Sequence, residues 1–219
     1  MNIVFDLDGT LIDSAPDIRA AVNRMLRGEG AEALDLPTIT TFIGNGLPKL
    51  VERVLDARGI SQSRYPQLYD AVRDFYSEAP ADLTQAYPGV TGALDLFKAG
   101  GHRLGICTNK PEEPARLVLE LLGLARYFDV VVGGDTLAQK KPDPAPLAHA
   151  FAALGDGARL YVGDSEVDAE TAQRAGVRFA LYTEGYRKGP VEALAHDWRF
   201  AEFTDLPGIV AGIAQTAPA

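Results

Sequence analysis

From Pro88-Gly89 onward, strand-length apolar runs alternate with helix-length amphipathic stripes, and no other feature narrows the fold so far. The spacing predicts helices over 90–99, 111–122, 144–154 and 166–175, and strands over 103–107, 129–132, 159–163 and 178–182. A last strand around 198–201 precedes a C-terminal helix, and Thr216 to Ala219 reads as a frayed tail. Such alternation argues for a parallel sheet covered by helices on both faces. One further strand-like run, Ile3-Val4-Phe5, lies far upstream. Between it and the alternating part, roughly residues 16–80, apolar residues recur at helical spacing with no strand among them. Ile18, Ala21, Val22, Met25 and Leu26 form one stripe, and Leu47, Leu50, Val51, Val54 and Leu55 a second. Leu68, Val72, Phe75 and Tyr76 form a third. Pro16 is placed like a first helical residue after Ser14, and Gly28, Gly30, Pro37, Gly44-Asn45-Gly46 and Gly59 punctuate the block. It reads as a small helical bundle inserted between the first strand and the rest of the sheet.

At 219 residues the chain has room for one sizeable core and a smaller second module. No apolar run approaches a membrane span. Asp6 cuts the first apolar run short and no basic stretch precedes it, so the N-terminus reads as a core strand and not a signal peptide. The net charge of −9 comes without a basic stripe, which argues against a nucleic-acid partner. It also means that an anionic substrate needs local positive charge. The single cysteine, Cys107, excludes an internal disulfide and a Cys-rich zinc site. Its place after Leu104-Gly105-Ile106 suits a buried strand position, and a reducing, cytoplasmic setting fits. His102, His149 and His196 share no ligand spacing, and Tyr65, Tyr69 and Tyr76 read as packing or rim residues of the bundle.

Polar groups gather where predicted strands end. In an open α/β sheet, chemistry sits beyond the carboxyl ends of the strands. The first strand ends in Asp6-Leu7-Asp8-Gly9-Thr10, and strand 103–107 in Thr108-Asn109-Lys110-Pro111. Strand 159–163 ends in Gly163-Asp164-Ser165 with Asp168 on the next helix, and Pro142 and Pro144 hold Lys141 in a stiff loop. In a parallel sheet Asp6, Asp8, Thr108 and Asp164 emerge on one edge, within reach of Lys141. Asp6, Asp8 and Asp164 are hard oxygen ligands suited to Mg²⁺, and without a cation their repulsion raises their pKa values. Lys141 and Mg²⁺ together offset charge on a transferring phosphoryl group. The Thr108 hydroxyl and Asn109 amide offer hydrogen bonds to its oxygens. So does the turn that Gly9 closes, where Thr10 joins the substrate-binding set. Asp6 would attack phosphorus to form an aspartyl phosphate. Asp8 would protonate the leaving oxygen and then deprotonate the hydrolytic water. Taken singly, these stretches are solvated turns, helix caps and loop breakers; their order in one α/β pattern is what points to catalysis.

The four stretches, Asp6 to Ser14, Thr108-Asn109, Lys141-Pro142 and Gly163 to Asp168, resemble the motifs of the haloacid dehalogenase superfamily. The resemblance covers essentially the whole chain. It implies a Rossmann-like α/β core, residues 1–13 and 84–219, with an α-helical cap, residues 14–83, inserted after the first strand. It implies Asp6 as nucleophile, Asp8 as acid–base, Thr108 and Lys141 as phosphate stabilisers, and Asp6, Asp8, Asp164 and Asp168 around the metal. Asp168 would orient the metal shell or Lys141. Asp8 separates the chain from dehalogenases and phosphonatases, which lack an acid there. Within the superfamily, Ser14-Ala15-Pro16-Asp17-Ile18, Phe42-Ile43-Gly44-Asn45-Gly46, Leu50-Val51-Glu52-Arg53 and Tyr87-Pro88-Gly89-Val90 are similar to bacterial phosphoglycolate phosphatases. That implies a small phosphorylated carboxylic acid, 2-phosphoglycolate, as substrate and a cap that closes over it. Lys49 and Arg53, one turn apart beside Gly46, would take its carboxylate; a solvated face with Glu52 as partner is the plainer alternative. Arg187 and Lys188 would border the cleft. A sibling phosphatase, a pyrophosphatase, a phosphosugar mutase or a non-catalytic metabolite-binding regulator stays open, as does a monomer or a homodimer.

Overall fold

The central strand is β1 (Asn2–Phe5), buried along its whole length and flanked by partners on both edges. A computed structural model describes residues 1–216, and among them a six-stranded parallel sheet contains β1 with β4 (Arg103–Cys107), β5 (Val130–Val132), β6 (Arg159–Gly163), β7 (Arg178–Tyr182) and β8 (Trp198–Phe200). The order is β5-β4-β1-β6-β7-β8. The chain therefore builds outward on one side of β1, then returns to build outward on the other. This reversal at β1 and β6 opens a crevice at the carboxyl edge. Side-chain alternation sends Ile3 and Phe5 to one face and Val4 to the other. Ile3 and Phe5 join the apolar cluster of α5 (Val90–Ala99), α6 (Glu112–Leu121) and α9 (Leu206–Thr216). Val4 joins that of α7 (Ala145–Leu154) and α8 (Glu166–Ala175). Cys107 is buried on this second face, where desolvation pushes its thiol up to about 12.

The fold agrees with the α/β expectation and differs at element ends. Strand 129–132 begins at Val130, because Asp129 turns its carboxylate onto Leu104 N and closes the sheet edge there. The last strand stops at Phe200. Thr216 is the final residue of α9, and the rest of the expected frayed tail lies outside the described residues. No helix among the described residues is long and apolar enough to cross a membrane.

Between β1 and β4 the chain forms α1 (Ala15–Gly28), α2 (Leu36–Phe42), α3 (Gly46–Arg58) and α4 (Tyr65–Glu78) around their own cluster, with Val22, Leu26, Ile39, Val51 and Val54 fully buried. A two-stranded antiparallel ribbon carries the chain out and back. It consists of β2 (Ile12–Asp13) and β3 (Gln85–Ala86), which pairs of two residues each are too short to announce by alternation. Asp17, buried in the first turn of α1, ties the return crossing. It accepts from Leu83 N, Thr84 N at 2.8 Å and Thr84 Oγ1 at 2.6 Å. Asp17→Ala leaves those buried donors without a partner, at a cost of about 2–3 kcal/mol. The expected result is a lower urea midpoint with unchanged slope; an unchanged midpoint would mean that the ribbon alone holds the crossing.

Candidate active site

At the carboxyl edge, Asp6 N still bonds Val162 O, after which the chain turns back on Leu7 O, which accepts from Thr10, Leu11 and Ile12. Gly9 adopts φ +88°, and a Cβ there would stand 2.6 Å from Asp164 Oδ2 and 2.7 Å from the Tyr186 ring. Only glycine lets the two loops meet this closely. Gly185 faces the same constraint: a Cβ would collide with Gly9 O and the Asp164 side chain. This contact holds Asp164 in place. Thr10 Oγ1 donates to its Oδ1 at 2.7 Å, and Tyr186 N to its Oδ2 at 2.6 Å. Thr10 is fully buried and its hydroxyl is directed at Asp164.

Lys141 enters from the loop before α7, through a cis Lys141–Pro142 peptide. Its side chain is 2% exposed, and its ammonium lies 2.7 Å from Asp168 Oδ1, 2.9 Å from Asp6 Oδ1 and 2.9 Å from Tyr161 Oη. Asp168 also accepts from Tyr161 Oη, from Ser165 Oγ at 2.6 Å and from Ser165 N, closing a reciprocal cap at the start of α8. Both of its oxygens are thus taken, and the geometry gives Asp168 the task of orienting Lys141 and the Asp164 loop. One oxygen each of Asp6, Asp164 and Asp168 lies within 4.8 Å of the others. The Asp8 carboxylate stands outside that group. It accepts from Ser14 Oγ at 2.6 Å and from Lys110 Nζ at 3.0 and 3.3 Å.

Burial raises the Asp6 carboxyl to about 7, with the Asp168 charge adding to it against the pull of Lys141. Burial also raises Asp164 well above the usual carboxylate range, and the charges of Asp168 and Asp6 reinforce this. For Asp168 burial works the same way, but Lys141 and the Ser165 and Tyr161 hydrogen bonds hold its carboxyl below the ordinary value. Three carboxylates around one ammonium leave two negative charges when all are ionised. The donor set is hard oxygen and its charge deficit is two, so the residues fit a divalent cation of the Mg²⁺ kind. Asp6 and Asp164 are the acids best able to hold it, since Asp168 is saturated.

A cleft of about 470 Å³ opens beside Asp6 and Asp8 and is roofed by the helical unit, with Leu47, Leu50, Val72 and Tyr76 on its far wall. Thr108 lines it and accepts from Lys110 N, leaving its own O–H to donate. Asn109 also lines it, yet its Nδ2 is committed to Gly44 O at 3.0 Å and Lys141 O at 3.1 Å. It therefore ties the α2–α3 turn to the Lys141 loop. Gly46 lines the cleft at φ +80°, against Asn109 O. Lys49 is half-exposed, paired with Glu52 at 2.5 Å, and does not line the cleft. Arg53 donates to Phe42 O and Asn45 Oδ1, both at 2.7 Å, and braces the turn without lining the cleft. Lys188 borders a recess beside Asp6, Asp8 and Asp164, whereas Arg187 folds back onto Thr183 O. The residues without a role in the sequence reading are Lys110, Tyr161 and Tyr186. Lys110 directly follows Thr108-Asn109, which was the available signal.

The chain matches the family model described as haloacid dehalogenase-like hydrolase over residues 3–182. It is 51% identical over 210 residues to the phosphoglycolate phosphatase of Cereibacter sphaeroides, covering 95% of this chain and 96% of that protein. The phosphoglycolate phosphatase of Aquifex aeolicus is 39% identical over 188 residues, 85% of this chain and 86% of its own. The crystal structure of a predicted phosphoglycolate phosphatase from Haemophilus somnus superposes with a TM-score of 0.90 at 30% identity, covering 95% of this chain and 96% of that one.

The acid cluster should make stability depend on pH and on divalent cations. A carboxyl raised from 3.8 to about 7 holds its proton more tightly folded than unfolded. Its contribution to stability is full below pH 3.8 and is lost as pH rises through about 7. Thermal melts should show the cation-free protein losing stability over that window. Added Mg²⁺ should raise Tm, and more so at pH 8 than at pH 5; a hundredfold excess over Kd corresponds to about 2.7 kcal/mol of stabilisation. Asp164→Asn should blunt the response; an undiminished response would place the cation elsewhere.

Proposed function

Because the chain belongs to the haloacid dehalogenase-like hydrolase family, we propose that it is a phosphatase hydrolysing 2-phosphoglycolate to glycolate and phosphate, with Mg²⁺ as cofactor. The observation that carries this reading is the division of labour between two acids one residue apart. Asp6 lies 2.9 Å from the Lys141 ammonium among the metal-type ligands, while Asp8 faces Lys110 and Ser14 in the substrate cleft. Neighbours of different chemistry suit neighbours to different tasks.

In this mechanism an oxygen of Asp6 forms the new bond to phosphorus as the bond to the glycolate oxygen breaks. Lys141 offsets negative charge on the phosphoryl group, and the Thr108 O–H donates to one of its oxygens. Asp8 delivers a proton to the departing alkoxide. It then takes one from the water that attacks the aspartyl phosphate, regenerating Asp6 and releasing phosphate. A bound divalent cation supplies further charge neutralisation at the phosphoryl oxygens. Asp168 keeps Lys141 aligned from behind. Residues 14–83 serve as the cap over a core of residues 1–13 and 84–219, with the ribbon at their junction, and exclude bulk water from the cleft.

Steady-state assays on a panel of phosphate esters should rank 2-phosphoglycolate first by kcat/KM. EDTA should stop turnover and Mg²⁺ restore it. Asp6→Asn should fall below detection while the protein stays folded, and Asp8→Asn should lose about 10²–10⁴-fold in kcat. Substantial turnover by Asp6→Asn would remove the covalent route, and a flat ranking would remove the substrate.

A further inference from the structure

The proposed substrate carries two anions, and the acid cluster with Lys141 accounts for one of them. The second, a carboxylate, requires a cation inside a cleft whose floor is acidic. Lys49 and Arg53 do not line that cleft. Among the described residues the cationic side chains that do line it are Lys110 and Arg73. Arg73 is half-exposed at the rim and already paired with Asp70 at 2.7 Å and Asp74 at 2.9 Å. Lys110 is different: its side chain is 6% exposed, and its ammonium contacts Asp8 and the Tyr76 hydroxyl, the latter at 2.8 Å.

Resting on the phosphoglycolate reading, we infer that Lys110 and Tyr76 form the carboxylate subsite and set specificity for a phosphorylated acid. Bond lengths support the placement. In 2-phosphoglycolate the carboxyl carbon is two bonds from the ester oxygen that Asp8 must reach, each about 1.5 Å. Lys110 Nζ is one hydrogen bond, 3.0 Å, from Asp8 Oδ1. A substrate oriented with its ester oxygen at Asp8 therefore presents its carboxylate to that ammonium. Tyr76 adds a second donor: its oxygen accepts from Lys110, and its own O–H has no acceptor in the protein among the described residues. An ammonium and a phenol O–H side by side match the two oxygens of a carboxylate. The Tyr76 ring also lies 4.7 Å from Lys110 Nζ, which holds the cation in place. Lys110 comes from the loop after β4 and Tyr76 from α4, so the subsite is complete only when the helical unit sits against the sheet edge.

The test compares kcat/KM for 2-phosphoglycolate with that for ethyl phosphate, which has the same ester bond and no carboxylate. The wild type should prefer 2-phosphoglycolate strongly. Lys110→Met should cut that preference at least tenfold, with the loss mainly in KM for the acid, and Lys110→Arg should recover part of it. Tyr76→Phe should lower the preference several-fold and, since it keeps the ring, provides the test if Lys110→Met fails to fold. Equal losses on both esters would reduce Lys110 to positioning Asp8 and overturn the inference while leaving the substrate intact. A wild type with no preference for the acid would instead overturn the substrate reading itself.

Discussion

Three buried carboxylates held around one buried ammonium are the constraint on which the rest of the site depends. Two unit charges about 4 Å apart interact by about 4 kcal/mol at an effective dielectric near 20. Asp6, Asp164 and Asp168 repel one another in three pairs, and Lys141 answers only Asp6 and Asp168 by direct contact. The deficit falls on Asp164, whose partners are neutral: the Thr10 hydroxyl and the Tyr186 amide. That imbalance is costly to the fold, and it is what fits the cluster to the divalent cation of the proposed mechanism.

The surroundings are built to tolerate this. Gly9 and Gly185 let two loops approach until no side chain fits between them, so Asp164 is fixed by backbone as much as by hydrogen bonds. Tyr161 and Ser165 saturate Asp168, so the acid nearest Lys141 orients it and does not compete for the cation. Asn109 links the turn before α3 to the Lys141 loop, which makes Lys141 and the roof of the cleft parts of one hydrogen-bonded unit.

Much of this was legible in the chain itself. The parallel sheet followed from alternation, since strands buried on both faces read as apolar runs and their covering helices as stripes. The loops that converge on the site followed from where those strands end. Asp6, Thr108, Lys141 and Asp164 stand there because the sheet puts successive carboxyl ends on one edge. What failed to show was direction. Thr10 and Asn109 have the right groups in the right loops but point them inward, and nothing in their spacing reveals that. Lys49 and Arg53 sit at the correct end of α3, yet Glu52 and the α2–α3 turn take their charges. The ribbon of β2 and β3 was too short to carry a period. Long-range partners such as Tyr186 and Lys110 depend on loops that meet only in three dimensions.

Tyr186 belongs to two neighbourhoods at once. Its amide grips Asp164, while its ring is counted in the apolar heart of the four-helix unit and its hydroxyl joins Asp13 and Ala15 N at the foot of α1. A shift of the helices relative to the sheet therefore cannot leave the Asp164 carboxylate undisturbed. One phenol side chain acts as a linkage rod between the four-helix unit and the Asp164 loop, so that a displacement of either is transmitted to the other.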